Sequence, residues 1–299
     1  MRTTASAEVM LPLLEAARYE VLPTPSAEQR VLDGAGADVV VAVTVSPSRG
    51  LEPTLALTER LAAAGRQVVP HLAARMVRDR VELAEIVQRL LAAGVDSVFV
   101  PAGDAASHGA YDGSLSLLRD LSSMGRPFRQ VGITGYPESH PHIHDDVTVQ
   151  AMWDKREHAT HIVSNLTFDP ARVLSWLGRL RARGVELPVL LGVPGPVHRA
   201  KLLAMATTIG VGESTRFLAR NAGLFARLTA PGGFTGERFV SSCAAGLQEP
   251  AQVAGLHVFT FNQVAETEAW RAGLLRDLTP PPSGLRGLSR RRPRSPGVG

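Results

Sequence analysis

The residues of this 299-residue chain that could do chemistry fall at one kind of place, the downstream ends of apolar runs. Tyr136-Pro137-Glu138-Ser139-His140-Pro141 follows Val131-Gly-Ile-Thr-Gly135, and Tyr19-Glu20, Pro70-His71 and Ala102-Gly103-Asp104 close three further runs in the same way. Acids, imidazoles and a phenol drawn from the C-terminal ends of several strands are what a (β/α)8 barrel uses to assemble one active site. An enzyme is expected.

Each group offers its own chemistry beside a structural alternative. Glu20 lies in an apolar stretch walled by Pro23 and Pro25. A carboxyl there is expected to have a raised pKa and to act as a general acid near neutral pH, unless a neighbouring cation pairs with it. Asp104 follows Gly103, which lets the backbone approach a ligand. Its carboxylate suits a developing cation, and a helix N-cap or Asx turn would use the same residue. His71 reads either as a hydrogen-bonded core group or as a catalytic imidazole. His140, His142 and His144 are interrupted by Pro141 and match no common zinc pattern, so no metal is expected. His140 is read instead with Glu138 as a hydrogen-bonding pair facing a ligand. The lone Cys243, in Ser-Ser-Cys-Ala-Ala, reads as a small buried helix position and supplies no disulfide.

Eight apolar, β-branched runs would carry these groups: Ala17–Leu22, Asp38–Ser46, Gln67–Ala73, Ser97–Gly103, Gln130–Pro137, His161–Phe168, Leu187–Val193 and Leu256–Asn262. Continuous apolar runs, as opposed to strict alternation, predict parallel strands covered on both faces. Helical stretches with start and stop signals lie between them. Ser26, Leu51-Glu-Pro-Thr, Asp79 and Asp169-Pro170 open helices, and Gly94 and Gly184 close two of them. The predicted fold is therefore α/β, a (β/α)8 TIM barrel over residues 1–279. An open doubly wound sheet competes, but no Gly-rich phosphate turn follows the first strand. More than 60 residues separate strands seven and eight, which predicts two or three extra helices forming a wall at the active-site end.

The net charge of +4 does not belong to this body. Residues 283–299 hold Arg286, Arg290, Arg291, Arg292 and Arg294 and no acid, which more than accounts for the surplus. The Pro- and Arg-rich stretch 280–299 is too poor in apolar residues to fold and is read as a solvated, disordered tail. No nucleic-acid or membrane partner is expected. Glu8 and Glu15 flank only a short apolar stretch, which argues against a signal peptide. A cytoplasmic protein acting on a small molecule is the expectation, with its oligomeric state unassigned.

Taken in order, these motifs resemble the methylenetetrahydrofolate reductase family over nearly the whole chain before the tail. Arg18-Tyr19-Glu20-Val-Leu-Pro23 is similar to the family's first-strand motif, and Pro70-His71-Leu72 to its third-strand Pro-His-Leu. Ala102-Gly103-Asp104 stands where the family has Arg-Gly-Asp. Tyr136-Pro137-Glu138-Ser139-His140-Pro141 matches Tyr-Pro-Glu-x-His-Pro, and Ser164-Asn165-Leu-Thr-Phe168-Asp169 resembles Thr-Gln-x-x-Phe-Asp. Leu191-Gly192-Val193-Pro194-Gly-Pro196 and Phe259-Thr-Phe261-Asn262 are similar to the last two strand motifs.

The resemblance implies reduction of 5,10-methylenetetrahydrofolate to 5-methyltetrahydrofolate. Glu20 would protonate N10, Asp104 would stabilise the N5 iminium, and Asn165 would bind the pterin edge. Phe259, Asn262 and Gln263 would complete the folate site, with Gln263 where the family has an arginine. His71, Ala102, Gly103, Tyr136, Glu138, His140 and Lys155 occupy the family's cofactor positions. Ala102 replaces the arginine that grips the FAD phosphates, and loss of a bidentate grip weakens a pyrophosphate site. The resemblance is thus to the short, flavin-independent branch, with NADH or NADPH as co-substrate and FAD disfavoured. Competing readings are the FAD-dependent enzyme, a deazaflavin-dependent methylene-tetrahydropterin reductase, and a folate-binding barrel without catalysis.

Overall fold

The structure, a computed structural model, describes residues 4–103, 109–138, 144–196, 236–247 and 253–279. All eight apolar runs form strands: β1 (Arg18–Val21), β2 (Val40–Val43), β3 (Val68–Pro70), β4 (Ser97–Phe99), β5 (Gln130–Gly135), β6 (His161–Leu166), β7 (Val189–Pro194) and β8 (Val253–Phe259). They pair in parallel in the order β3-β2-β1-β8-β7-β6-β5-β4. The two ends of that order meet through a parallel bridge between His71 and Phe99, where the Leu72 N–H donates to the Phe99 carbonyl at 2.8 Å. The sheet therefore closes into a barrel.

Strand alternation divides the side chains between two cores. Ala42, Val69, Phe99, Val163 and Leu190 form a small cluster inside the barrel. The larger core, with Tyr19, Val21, Leu256 and Val258, lies between the strands and the helical ring. On β1 this parity turns Tyr19 outward and leaves Arg18 and Glu20 facing the lumen.

The ring comprises α1 (Thr4–Glu15), α2 (Ala27–Gly34), α3 (Glu52–Ala63), α4 (Arg80–Ala92), α5 (Ser114–Ser123), α6 (Asp145–Lys155), α7 (Pro170–Ala182), α8 (Gly236–Gly246) and α9 (Val264–Leu278). Asp79 caps α4 by accepting from the Glu82 N–H at 2.9 Å, and Asp169 caps α7 by accepting from Ala171 and Arg172. Gly94 and Gly184 close α4 and α7 with φ of +76° and +75°. Ser26 makes no such cap, because its hydroxyl accepts from Arg30 Nε instead. Helix α1, absent from the sequence-based reading, buries Met10, Leu13 and Leu14 against the barrel.

Between β7 and β8 the described helix is α8, which packs on α7 and α1 as part of the ring. The expected wall over the mouth falls on residues outside the described set, as does the 280–299 tail. Among the described residues, no helix is long and apolar enough to cross a membrane. Behind the barrel, Arg271 of α9 is 3% exposed and bonds Asp38 at 2.7 Å, Glu268 at 3.3 Å and the Leu14 carbonyl at 2.8 Å. Glu268 in turn accepts the Tyr19 hydroxyl at 2.7 Å. One cation thereby ties α9, α1 and the approach to β2 together.

Candidate active site

Three strands aim polar groups at one point in the lumen. Glu20 comes from β1, His257 from β8, and His71 from the residue just past β3. Glu20 Oε2 lies 2.9 Å from His257 Nε2 and 3.8 Å from His71 Nε2. The imidazoles are buried, while the Glu20 side chain keeps 16% of its surface open. Aromatic edges pack around them, with the Phe99 ring centroid 4.6 Å from that of His71 and the Phe259 centroid 5.0 Å from that of His257. Phe259 is in register with Glu20 across the β1–β8 pair.

These neighbours reverse the direction expected for Glu20. Burial alone would raise its carboxyl pKa, but the His257 hydrogen bond and the two imidazoles together outweigh burial and hold it below the usual range. His71 is pushed down to about 4, chiefly by burial and less by His257, against an upward pull from Glu20. His71 is therefore neutral at pH 7 and adds no charge, so the hold on Glu20 at that pH falls to the His257 hydrogen bond.

A second polar layer closes the lumen below. Arg18 lies within 3.1 Å of His161 Nε2 and donates to Gln130 Oε1 at 2.8 Å, and Thr160 Oγ1 meets His161 Nδ1 at 2.9 Å. His161 falls to about 3 through burial and then the Arg18 charge, so it too is uncharged at neutral pH. Arg18, Gln130 and His161 begin their strands, which places this layer at the barrel's N-terminal end and leaves Glu20 the open end.

The other expected site residues divide. Asn165 is exposed at the end of β6, its Oδ1 accepting the Leu166 N–H at 2.8 Å. Beside it Gly192 is obligatory, because a Cβ there would strike the Ser164 and Asn165 carbonyls. Gly103 has φ +87°, and a Cβ would come within 2.9 Å of Ala73 Cβ; the preceding Ala102 carbonyl accepts from Arg75 N–H. Tyr136 is half-buried just past β5.

Glu138 accepts from the Phe168 and Asp169 N–H groups, so its carboxylate secures the loop after β6. Asn262, with φ +57°, accepts from Leu22 N–H and donates to the Leu22 carbonyl and Thr24 Oγ1, which clasps the loop after Glu20. Gln263 is 2% exposed, and its amide has no partner among the described residues. Asp104, His140 and His142 lie outside the described residues; His144 accepts from Asp146 N–H at the start of α6.

Lys155 is half-buried. It ends α6, six residues before β6 begins, and α6 is ion-paired through Asp145 and Asp146 to Arg179 and Arg183 in and just past the last turn of α7. Burial lowers the Lys155 ammonium pKa, against an upward pull from Asp154.

His257 is the residue the sequence reading passed over. The signal was there: it lies two positions before Phe259 in the eighth run, and period-two alternation puts both on one face. The Glu20, His71 and His257 donor atoms lie within 4.8 Å of one another, a spacing that could hold a divalent ion. Against this, His257 Nδ1 is buried without a partner among the described residues, and a ligating imidazole ordinarily has an outer acceptor to orient it. A proton-handling group fits the contacts better.

Residues 30–270 match the profile of a protein family described as methylenetetrahydrofolate reductase. Among solved structures, the chain is similar to a ligand-free tryptophan synthase from M. tuberculosis, with 15% identity and a TM-score of 0.42 over 81% of this chain and 99% of that one. It is also similar to 2,3-dimethylmalate lyase, a member of the PEP mutase/isocitrate lyase superfamily, with 12% identity and a TM-score of 0.45 over 81% of this chain and 96% of that one.

Proposed function

This chain belongs to the methylenetetrahydrofolate reductase family, and on that premise we propose that it reduces 5,10-methylenetetrahydrofolate to 5-methyltetrahydrofolate, with NADH or NADPH giving its hydride directly to the folate and no flavin bound. The observation that carries the reading is the carboxyl of Glu20, set at the open end of the barrel beside Phe259 and hydrogen-bonded from one side by His257.

Glu20 gives a proton to N10 of the folate. The bond between N10 and the methylene carbon breaks, its electron pair stays on N10, and the carbon becomes an iminium on N5. The nicotinamide hydride then adds to that carbon and makes the methyl group. Asp104, the residue after Gly103 in the sequence, supplies the negative charge opposite the iminium. Phe259 offers a flat apolar face to the pterin, and Asn165 a polar edge.

The described residues suit a flavin poorly. Ala102 stands where a guanidinium would grip a pyrophosphate, and a Glu138 carboxylate oxygen is engaged by backbone N–H groups. The purified protein is expected to be colourless and to oxidise NADH or NADPH only when methylenetetrahydrofolate is added. A stoichiometric yellow chromophore would overturn the flavin-free reading, and failure to oxidise either nucleotide with the folate present would overturn the activity.

A further inference from the structure

A general acid must hold a proton when its substrate needs one, yet the His257 hydrogen bond favours the charged form of Glu20. Among the described residues, only one of its contacts is close enough to fix it: the 2.9 Å approach of His257 Nε2 to Oε2. The hydrogen belongs on Nε2, because Nδ1 is buried without a partner among the described residues, and an unpaired acceptor there costs less than an unpaired donor. His257 therefore donates and the Glu20 oxygen accepts.

We propose that His257 is the positioning residue that keeps Glu20 as a carboxylate in the free protein, so that the proton delivered to N10 is taken up from solvent together with the folate. The inference rests on the folate-reductase reading for what the proton is used for, though not for the state of the pair.

The surroundings make His257 the deciding group. His71, from the end of β3, is 3.8 Å from the same oxygen and uncharged at neutral pH. Arg18 and His161 face His257 from the layer below, but they are engaged with each other, Gln130 and Thr160. From β4, Phe99 presents only an apolar edge to His71, and the Asp104 that follows lies outside the described residues. Water reaches Glu20 through the 16% of its side chain left open. A folate seated there removes that water, which disfavours the charged form and draws a proton onto the carboxyl. The proton then passes to N10 as the carbon–nitrogen bond breaks, and Glu20 returns to the carboxylate that His257 holds.

Two measurements on the full chain test this. The first is an infrared pH titration without folate, with the Glu20→Gln spectrum subtracted, which reads the Glu20 carboxyl directly. Wild type is expected to be ionised at neutral pH with its midpoint below the ordinary glutamate value. His257→Leu should raise that midpoint by about one to two pH units, since a hydrogen bond to a charged group is lost. His257→Gln, which keeps an N–H donor, should restore most of the shift.

The second is calorimetry of methylenetetrahydrofolate binding, without nucleotide, in buffers of different ionisation enthalpy. Uptake of about one proton per folate is expected near neutral pH. A wild-type carboxyl protonated at neutral pH, a midpoint unmoved in the Leu variant, or zero proton uptake would each overturn the proposal. Should the Leu variant fail to fold, the wild-type midpoint and the proton count still decide. The infrared result stands apart from turnover, so a protein that proves inactive on folate would sink the functional reading while leaving this pair testable.

Discussion

Glu20→Gln is expected to lower kcat by about 10²–10⁴-fold, the range a positioned general acid contributes, while folate binding changes little. The amide keeps the shape of the side chain and can still present its carbonyl to His257 Nε2, now at 2.9 Å from Oε2, so the lumen need not rearrange. What it lacks is a proton to give to N10. Steady-state turnover and equilibrium folate binding, measured on the same preparation, separate the two effects. A variant that turned over at a near-normal rate would leave Glu20 no place in the mechanism. A variant that lost folate binding in proportion would make it a binding residue instead.

The largest stability effect is expected far from the mouth. Arg271→Ala should cost about 3–5 kcal/mol, the penalty typical of removing one partner from a buried charged network. It strips the Leu14 carbonyl of its donor and leaves Glu268 near the Tyr19 hydroxyl without its cation. Urea unfolding of wild type and variant checks the figure; a difference below about 1 kcal/mol would mean that the network is no more than a set of surface pairs. The pH dependence has a definite sign. The Arg271 hydrogen bond holds Asp38 below its ordinary value, with burial opposing and the Arg271 charge assisting. Its share of stability is thus complete above the ordinary aspartate pKa and is lost as pH falls through the lowered folded-state value. In Arg271→Ala that acid-side loss should disappear.

The barrel was legible because strands covered on both faces leave unbroken apolar runs, and all eight were visible as such. Capping chemistry was legible for the same local reason, in Asp79 and in Asp169-Pro170. Ser26 looked identical in kind, but a neighbouring Arg30 takes its hydroxyl, a competition no local pattern records. Helix α1 was missed because Pro12 interrupts a stretch weighed only as a targeting signal.

The site was legible as a set of strand ends but not as a set of partners. Nothing near Glu20 in sequence shows that it will meet His71 and His257 from strands either side, so its expected pKa shift came out with the wrong sign. Glu138 and Asn262 share the look of ligand-binding groups, and each also ties loops together: Glu138 accepts from the Phe168 and Asp169 N–H groups, and Asn262 bonds Leu22 and Thr24.

Isotope transfer tests the central claim most directly. With nicotinamide nucleotide carrying deuterium at the transferred C4 position, in ordinary water, direct transfer predicts one deuterium in the methyl group of every 5-methyltetrahydrofolate formed. A methyl group bearing solvent hydrogen instead would show that the hydride had passed through an exchangeable carrier, and the direct route argued from Ala102 and Glu138 would be contradicted.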